Sequence, residues 1–356
     1  MTLHPHADPL WGMIMALPKI ELHRHLEGSL RLSTLAEIAQ TYDLDVPARD
    51  EESLRPYVQI MPDSPHDAEH FLSKFAVLRG FYCAPDVIRR VACEAVEDAA
   101  ADNIKYLELR FTPKALARIR GFAFTDVIDW VLEGVDEGKQ GRDIVVRLIL
   151  ALNRHESVAD AELAILAGLD RKDRGIVAVD LCGQEEGFPA EPFAPIFREA
   201  QKAGMHITIH GAEWDGPHNV RYAIEKLGAS RIGHGVRIFE DPDVITLARE
   251  REVFFEVCPT SNLQSGVVKS LSAHPLRKMQ KAGLRTTLNT DDPSICGITL
   301  TEEYYRTAQA QSLGIKDIQA MLMNAAEAAF IPEMARTVLI SRLIEAFSTH
   351  DQTRRL

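Results

Sequence analysis

Several features that would assign a chain to a common functional class are missing from this sequence of 356 residues. It has no excess of positive charge, since 40 lysines and arginines stand against 52 aspartates and glutamates and the formal net charge is −12. Surfaces that bind nucleic acids are usually basic, so no nucleic-acid partner is expected. No stretch reaches the roughly 18 consecutive apolar residues of a membrane-spanning helix, so no membrane partner is expected either.

Cysteine is scarce: the chain has five, an odd number, and none of them forms a CxxC pair. This pattern favours reduced thiols in a cytoplasmic protein over a disulfide framework. A short apolar run lies near the N-terminus, from Leu10 to Leu17, but no basic segment precedes it. We therefore interpret residues 1–16 as an extension of a cytoplasmic protein and not as a signal peptide.

Two kinds of nucleotide-related motif are also absent. No GxGxxG, GxxxxGKS or GxxxxGKT turn follows any predicted strand, which removes support for a phosphate-binding loop and for an open doubly wound sheet. The combined HxE…PCxxC signature of a cytidine-deaminase zinc site does not occur, because the chain has no PCxxC element. Any zinc chemistry in this chain would need a different set of ligands.

What the sequence does contain is a regular alternation of β-branched runs with amphipathic segments of about 12–20 residues, which is typical of repeated βα units. Eight strands are enough for a closed (β/α)8 TIM-type barrel, and we predict one such domain over residues 1–356. The predicted strands are Lys19–Leu26, Ile104–Phe111, Asp143–Leu152, Gly175–Leu181, His206–His210, Arg231–Val236, Val253–Val257 and Leu284–Asn289.

The segment between the first two strands, residues 50–84, is longer than a single crossover helix. Within it, HFLSKF places Phe71 and Phe75 one helical turn apart on the same face. Two interpretations are open at this point: a helix face that packs on the core, or extra helices that form an apolar lid over the barrel mouth.

Candidate metal ligands lie at the ends of three predicted strands. His23 and His25 are two residues apart, so their imidazoles project from the same strand face. This pair alone is a weak indication of a metal site, but His210 ends the fifth strand and Asp291 follows the eighth. Three imidazoles and one carboxylate suit a single Zn²⁺ per chain and leave room for a water, whose pKa the ion would lower to about 7.

Further polar residues lie at neighbouring strand ends, where barrel enzymes build their active sites. Glu213 could reach over a bound substrate, and His234 could accept a proton from the water. Asp292 directly follows the candidate ligand Asp291. Each of the three could instead be structural: a solvated carboxylate, a buried histidine or a turn cap. Their joint placement favours a catalytic site.

Three more charged residues occupy the predicted strands. Glu108 and Arg110 are two apart and share a strand face, so we predict a structural ion pair between them within the barrel. We interpret Asp180 as a residue that supports a metal ligand.

The sequence resembles the adenosine deaminases of the metal-dependent amidohydrolase superfamily, from about Leu17 to Pro332. Several of the family's motifs occur in the right order, which makes the resemblance specific. The matching blocks are PKIELHRHLEGS (18–29), YLELRFTP (106–113), VDLCGQEEGFP (179–189), IHGAEW (209–214), RIGHGV (231–236), CPTSNLQSG (258–266) and LNTDDPSICG (288–297).

The resemblance implies a hydrolytic deamination in which hydroxide adds to C6 of the purine, a tetrahedral intermediate forms, and ammonia leaves to give inosine or 2′-deoxyinosine. The residues that match the family's zinc ligands are His23, His25, His210 and Asp291. Glu213 matches the acid that protonates purine N1.

Other matches concern the water and the substrate. His234 matches the residue that orients and deprotonates the metal-activated water, Asp292 the carboxyl that bonds to N7, and Gly183 the backbone group that meets N3. HFLSKF matches the family's apolar gate, which favours the lid interpretation for Phe71 and Phe75. The predicted substrate-binding residues are His25, Glu27, Gly183, Asp292, Phe71 and Phe75.

The sequence departs from the family pattern in two places. Glu27 stands where the family usually has an aspartate associated with the ribose 5′-hydroxyl, and HGAE (210–213) replaces HAGE. We expect a small purine nucleoside as the substrate, with adenosine and 2′-deoxyadenosine first. Glu27 keeps another 6-aminopurine open as an alternative, such as adenine, aminodeoxyfutalosine or an N6-modified adenosine.

Two other functions fit the sequence less well. A binuclear amidohydrolase generally needs a lysine at the end of the fourth strand, where this chain has Leu181, Cys182 and Gly183. A catalytically inactive barrel that only binds a ligand would be expected to have lost a metal ligand or the acid, and all of those positions are filled. The oligomeric state is left open.

Overall fold

Eight parallel strands form one nearly closed sheet in the computed structural model, which describes residues 8–353. Neighbouring strands in the sheet are neighbours in the chain, from β1 to β8, and each ladder is parallel. The strands are β1 Lys19–His25, β2 Ile104–Phe111, β3 Val145–Asn153, β4 Ile176–Cys182, β5 His206–Gly211, β6 Arg231–His234, β7 Phe254–Val257 and β8 Arg285–Leu288.

Helices surround this sheet. Seventeen α-helices occur in the described part of the chain: α1 Pro9–Ala16, α2 Leu32–Thr41, α3 Glu51–Val58, α4 Ala68–Leu78, α5 Pro85–Ala101, α6 Pro113–Ala117, α7 Phe124–Gly138, α8 Val158–Leu169, α9 Ala194–Lys202, α10 His218–Lys226, α11 Pro242–Glu250, α12 Pro259–Gln264, α13 Leu276–Lys281, α14 Pro293–Cys296, α15 Leu300–Gln311, α16 Ile315–Ala328 and α17 Glu333–Thr353. Short 3-10 turns occupy Leu26–Gly28, Arg79–Phe81, Lys172–Arg174, Glu191–Phe193, Ile238–Glu240 and Leu271–Ala273.

The predicted TIM-type barrel is therefore confirmed, and each predicted strand is present with ends that differ by no more than two residues. Strands covered by helices are buried on both faces, which explains why they appear in the sequence as nearly continuous apolar runs. Of the predicted extension, residues 9–16 form α1, and residues 1–7 lie outside the described part of the chain.

The barrel closes between its first and last strands by very few backbone contacts. Within residues 8–353, a single β-bridge joins them, between Arg24 and Asp291. The His25 amide donates to the Asp291 carbonyl at 2.8 Å, and the Asp291 amide donates to the His23 carbonyl at 3.0 Å. Candidate metal ligands lie on both sides of this seam. Closing the barrel between β1 and β8 therefore also brings His23, His25 and Asp291 together.

The predicted ion pair between Glu108 and Arg110 is wrong. Both side chains are fully buried in the barrel, but each pairs with residues of other strands. Arg110 contacts carboxylate oxygens of Asp180 at 2.7 Å and of Glu256 at 2.6 Å, and Glu108 pairs with Arg231. A shared strand face does not determine which neighbouring strand supplies the partner, and the ends of two long side chains separated by one strand position point toward different neighbours.

Two sequence expectations can be compared with the described residues. None of the five cysteines forms a disulfide. Within residues 8–353, no helix combines the length and apolar character needed to cross a bilayer.

The segment over residues 50–84 contains α3, α4 and a 3-10 turn, as the prediction of extra helices required. Phe71 and Phe75 both lie on α4, with their ring centroids 6.3 Å apart. They face the cavity described below, and Phe71 also belongs to the hydrophobic core.

Candidate active site

A cavity of about 520 Å³ opens at the carboxyl ends of the strands, and this volume suits a nucleoside-sized ligand. It brings together residues of most strand ends and of α4. Its lining is His25, Glu27, Phe71, Leu72, Phe75, Arg79, Thr112, Ala115, Asn153, His155, Cys182, Gly183, Gln184, Phe188, His210, Glu213, Trp214, His234, Asp291 and Asp292.

The four predicted metal ligands form one cluster at the base of this cavity. His23, His25, His210 and Asp291 each offer a ligand atom, and these atoms lie within 4.8 Å of one another. The Asp291 Oδ1 atom is 3.2 Å from His23 Nε2 and 3.4 Å from His25 Nε2, and the Nε2 atoms of His25 and His210 are 3.3 Å apart.

These separations fit a metal ion. Ligand atoms at the corners of a tetrahedron lie about 3.3 Å apart when each is about 2.0–2.1 Å from a central Zn²⁺. The buried Nε2 atom of His23 forms no hydrogen bond of good geometry with the described residues, although Asp291 Oδ1 lies 3.2 Å away, as expected of two atoms that would share a metal. The nitrogen and oxygen donor set also suits zinc.

Hydrogen bonds from behind orient these ligands. His23 Nδ1 lies 2.7 Å from Glu256, and His210 Nδ1 lies 3.1 Å from Asp180. A carboxylate at Nδ1 holds the proton there, which leaves Nε2 free to bind a metal. Ser261 donates to the second carboxylate oxygen of Asp291 at 2.7 Å. The predicted supporting contact of Asp180 is present in the structure.

Glu213 and His234 are neighbours in the cavity wall, with 3.6 Å between His234 Nε2 and a Glu213 oxygen. Asn262 links them, since its amide donates to Glu213 at 3.0 Å and lies 3.1 Å from His234 Nδ1. Burial, aided by the charges of Asp291 and Glu185, raises the pKa of Glu213 well above its usual value. Burial also lowers the pKa of His234 well below its usual value. Burial therefore favours the protonated form of the Glu213 carboxyl and the neutral form of the His234 imidazole.

The loop that carries Glu213 is held by one buried carboxylate. Glu185 accepts the backbone N–H groups of Ala212 at 3.0 Å, Glu213 at 2.8 Å and Trp214 at 3.3 Å, and the Asn219 amide at 3.0 Å. Ala212 has a φ of +53°, a conformation that favours glycine. The order HGAE thus puts alanine where the left-handed backbone is needed, and the bonds to Glu185 offset part of that strain.

Asp292 and Gly183 occupy the places the sequence predicts, on the cavity wall. Burial and the neighbouring charge of Asp291 raise the pKa of Asp292 well above its usual value, and its Oδ1 has no partner in the described chain. A Cβ on Gly183, whose φ is +83°, would lie 2.9 Å from His155 Nδ1. Glycine is required there for the backbone to border the cavity.

Glu27 is buried at the cavity wall. One of its oxygens accepts the Thr112 amide at 2.6 Å, and the other has no hydrogen bond to any described residue. Burial raises the pKa of Glu27 to about 7. The glutamate therefore keeps one free oxygen beside the space available to a substrate.

Sequence reasoning missed four residues of this site that act on its ligands and acid: Glu185, Glu256, Ser261 and Asn262. Three of them lie in matched blocks, Glu185 in VDLCGQEEGFP and Ser261 and Asn262 in CPTSNLQSG, so the resemblance marked the segments without giving the residues a role. Glu256 lies on β7 among apolar residues, and a buried carboxylate on a barrel strand was an available signal. The role of Glu185 had no signal of its own, because its partners are mainly backbone groups.

A comparison with known proteins agrees with this geometry. Residues 18–346 match the family model described as adenosine deaminase. An adenosine deaminase of Klebsiella pneumoniae (strain 342) is 37% identical over 328 residues, which cover 92% of this chain and 98% of that protein. That family is metal-dependent.

Solved structures with the same fold include two related enzymes. The adenine deaminase of Arthrobacter aurescens has a TM-score of 0.86 and 25% identity, covering 93% of this chain and 99% of that one. The ADAL protein of Arabidopsis in complex with IMP has a TM-score of 0.84 and 26% identity, covering 95% of this chain and 99% of that one. On the family match, the high identity to an adenosine deaminase and the shared barrel, the chain belongs to the adenosine deaminase family.

Proposed function

We propose that this protein catalyses the hydrolytic deamination of adenosine and 2′-deoxyadenosine to inosine and 2′-deoxyinosine, with release of ammonia. The observation that carries the proposal is a cluster of four side chains able to hold a metal, which shares one cavity with two buried carboxyl groups of raised pKa. His23, His25, His210 and Asp291 would hold one Zn²⁺ per chain. When bound, zinc lowers the pKa of water to about 7 and so supplies a nucleophile at neutral pH.

The carboxyl groups match the base of the substrate. A 6-aminopurine presents hydrogen-bond acceptors at N1, N3 and N7. Glu213, protonated because of its raised pKa, donates to N1 and makes C6 more electrophilic. Asp292, whose pKa is also raised, donates to N7, and the Gly183 backbone meets N3. A carboxylate in either place would repel these lone pairs.

Proton transfer completes the reaction. Neutral His234 accepts a proton from the attacking water as the C6–O bond forms. The protonated His234 then gives its proton to the amino group at C6, which leaves as ammonia, and the remaining hydroxyl proton on C6 passes to the Glu213 carboxylate as the C6=O bond forms. Phe71 and Phe75 on α4 form an apolar lid that keeps bulk water from the reacting atoms. Glu27 contacts the sugar end of the substrate.

A substrate panel tests the proposal on protein of measured zinc content. Adenosine, 2′-deoxyadenosine, adenine, and N6-methyladenosine would be compared by ammonia release and by loss of adenine absorbance. We expect the two nucleosides to give the highest kcat/KM. If free adenine were preferred by orders of magnitude, the alternative substrate class that Glu27 leaves open would replace adenosine.

The loop contacts of Glu185 lead to a second prediction. In Glu185→Gln an amide NH2 replaces one carboxylate oxygen and opposes two N–H donors, so the Glu213 loop shifts. We expect kcat to fall by about 10-fold to 100-fold with little change in KM, since small displacements of a catalytic group have effects of this size. The alkaline limb of the kcat profile should move to lower pH, because the Glu185 charge no longer raises the pKa of Glu213.

The matched control is Glu186→Gln, which changes the adjacent, exposed glutamate. It should leave kcat and the pH profile as in the unmodified protein. A Glu185→Gln protein with reduced kcat but an unmoved alkaline limb would indicate loss of stability alone, and the positioning of Glu213 by Glu185 would be rejected.

A further inference from the structure

One arginine of the active-site cavity has a side chain without a partner in the described part of the chain. Arg79 follows α4 and lines the cavity with Glu27 and His155. Its side chain is half-buried, yet it forms no hydrogen bond or ion pair with any residue between 8 and 348. Every other arginine in that range that is not exposed has at least one such partner. A guanidinium partly removed from water without a partner loses hydration that a ligand could replace.

The lining of the cavity shows which residues share a wall with Arg79. Arg79, Glu27 and His155 all line the cavity. Tyr82 is buried and lies three residues after Arg79 in the chain.

This end of the cavity has unused hydrogen-bonding capacity. The second carboxyl oxygen of Glu27 and the Tyr82 hydroxyl are buried and have no partner in the described chain. In the binding mode proposed above, the Gly183 backbone meets purine N3, which is on the edge next to the sugar, and Gly183 lies beside His155. The polar groups around Arg79 would then lie at the sugar end of the substrate, away from the atoms that react at C6.

We propose that Arg79 binds an anionic group, a phosphate or a carboxylate, attached to the sugar of a 6-aminopurine nucleoside. This inference rests on the proposed deamination and narrows its substrate class. The guanidinium fork matches both anions through two parallel hydrogen bonds. The chain has a net charge of −12 and many carboxylates, and none of those in the described part lies within ion-pair distance of Arg79. Its charge is left free for a ligand.

A neutral role for Arg79 makes a different prediction. If the guanidinium only donated to a sugar hydroxyl, its removal would weaken the binding of neutral and anionic nucleosides to the same extent. If it binds an anion, its removal affects the anionic substrates selectively, because a phosphate or carboxylate adds opposite charge and a second parallel hydrogen bond that a neutral hydroxyl does not offer.

The test uses the zinc-loaded full chain and its Arg79→Gln variant with three substrates: adenosine, AMP and adenosine 5′-carboxylate. For the unmodified protein we expect a higher kcat/KM with at least one anionic substrate than with adenosine. In the variant, kcat/KM for that substrate should fall by at least about 10-fold, and for adenosine by less than about 3-fold. AMP and the carboxylate separate the two possible anions.

Two variants complete the design. Arg79→Lys keeps the charge without the fork and should recover part of the loss, and Arg198→Gln removes an exposed arginine of α9 and should change nothing. Calorimetric binding of IMP and inosine gives a second readout that is independent of turnover. Equal losses on neutral and anionic substrates, or no anionic preference in the unmodified protein, would overturn the role of Arg79 while adenosine turnover still supported deamination. Failure to convert any of the three would contradict the proposed deamination itself.

Discussion

Glu213→Gln should lower kcat by at least about 10²-fold and leave the bound metal in place, because the loss of a general acid has effects of this order. Glutamine has nearly the same shape, and its oxygen can still accept the Asn262 amide that now bonds to Glu213 at 3.0 Å. Its amide group can donate a hydrogen bond toward N1 but cannot transfer a proton to it. The measurements are kcat with adenosine and zinc per chain by atomic absorption.

The pH profile provides the control for this variant. In the unmodified protein the alkaline limb of kcat should report loss of the Glu213 proton, since burial holds its pKa well above the usual value. That limb should disappear in Glu213→Gln. Activity within a few-fold of the unmodified protein would remove Glu213 from the mechanism.

His210→Ala should abolish metal binding and deaminase activity together. His210 supplies one of four ligand atoms, and its loss also leaves the buried Asp180 carboxylate without the imidazole that lies 3.1 Å away. An unpaired buried charge adds to the cost, although Arg110 still contacts Asp180. Metal content after dialysis and kcat/KM with adenosine are the two measurements.

His218→Ala is the matched control, because that histidine lies on α10 with a side chain that is 69% exposed. It should bind zinc and deaminate adenosine like the unmodified protein. If His210→Ala retained a full equivalent of zinc, the ligand set would be misassigned. Added zinc should raise the unfolding temperature of the unmodified protein and of His218→Ala, but not of His210→Ala, because only a native site binds the ion.

The barrel could be predicted from the sequence because each of its strands and helices is recognisable from the pattern of residues within its own segment. Each strand is a short β-branched run and each helix an amphipathic segment, so periodicity alone located all eight strands to within two residues at each end. The positions of His210 and Asp291 followed, since parallel strands in a barrel end on the same face.

Contacts between distant strands could not be predicted in the same way. The sequence placed Glu108 and Arg110 on one face but gave no means to find Arg231 or Glu256 as their partners. Glu185 was missed for a related reason: it bonds mainly to backbone N–H groups, which every residue except proline carries, so no residue type marks the contact.

Backbone strain at the site was equally invisible in the sequence. His234 and Asp291 adopt positive φ angles of +65° and +64°, in a region that costs most residues energy. The residue types do not predict these positive φ angles, because histidine and aspartate usually adopt negative φ angles. The structure gives a reason for the strained backbone: it places Asp291 among the four candidate metal ligands and His234 beside Glu213.

The narrow seam between the first and last strands has a consequence for when the enzyme can acquire its metal. His23 and His25 leave the ribosome early, but Asp291 follows them by more than two-thirds of the chain. A nascent or truncated polypeptide that lacks the eighth strand presents at most three of the four ligands and no closed seam. If these four residues hold the metal as proposed, tight binding requires that synthesis has passed residue 291. Metal binding would then distinguish chains that can close the barrel between β1 and β8 from shorter ones.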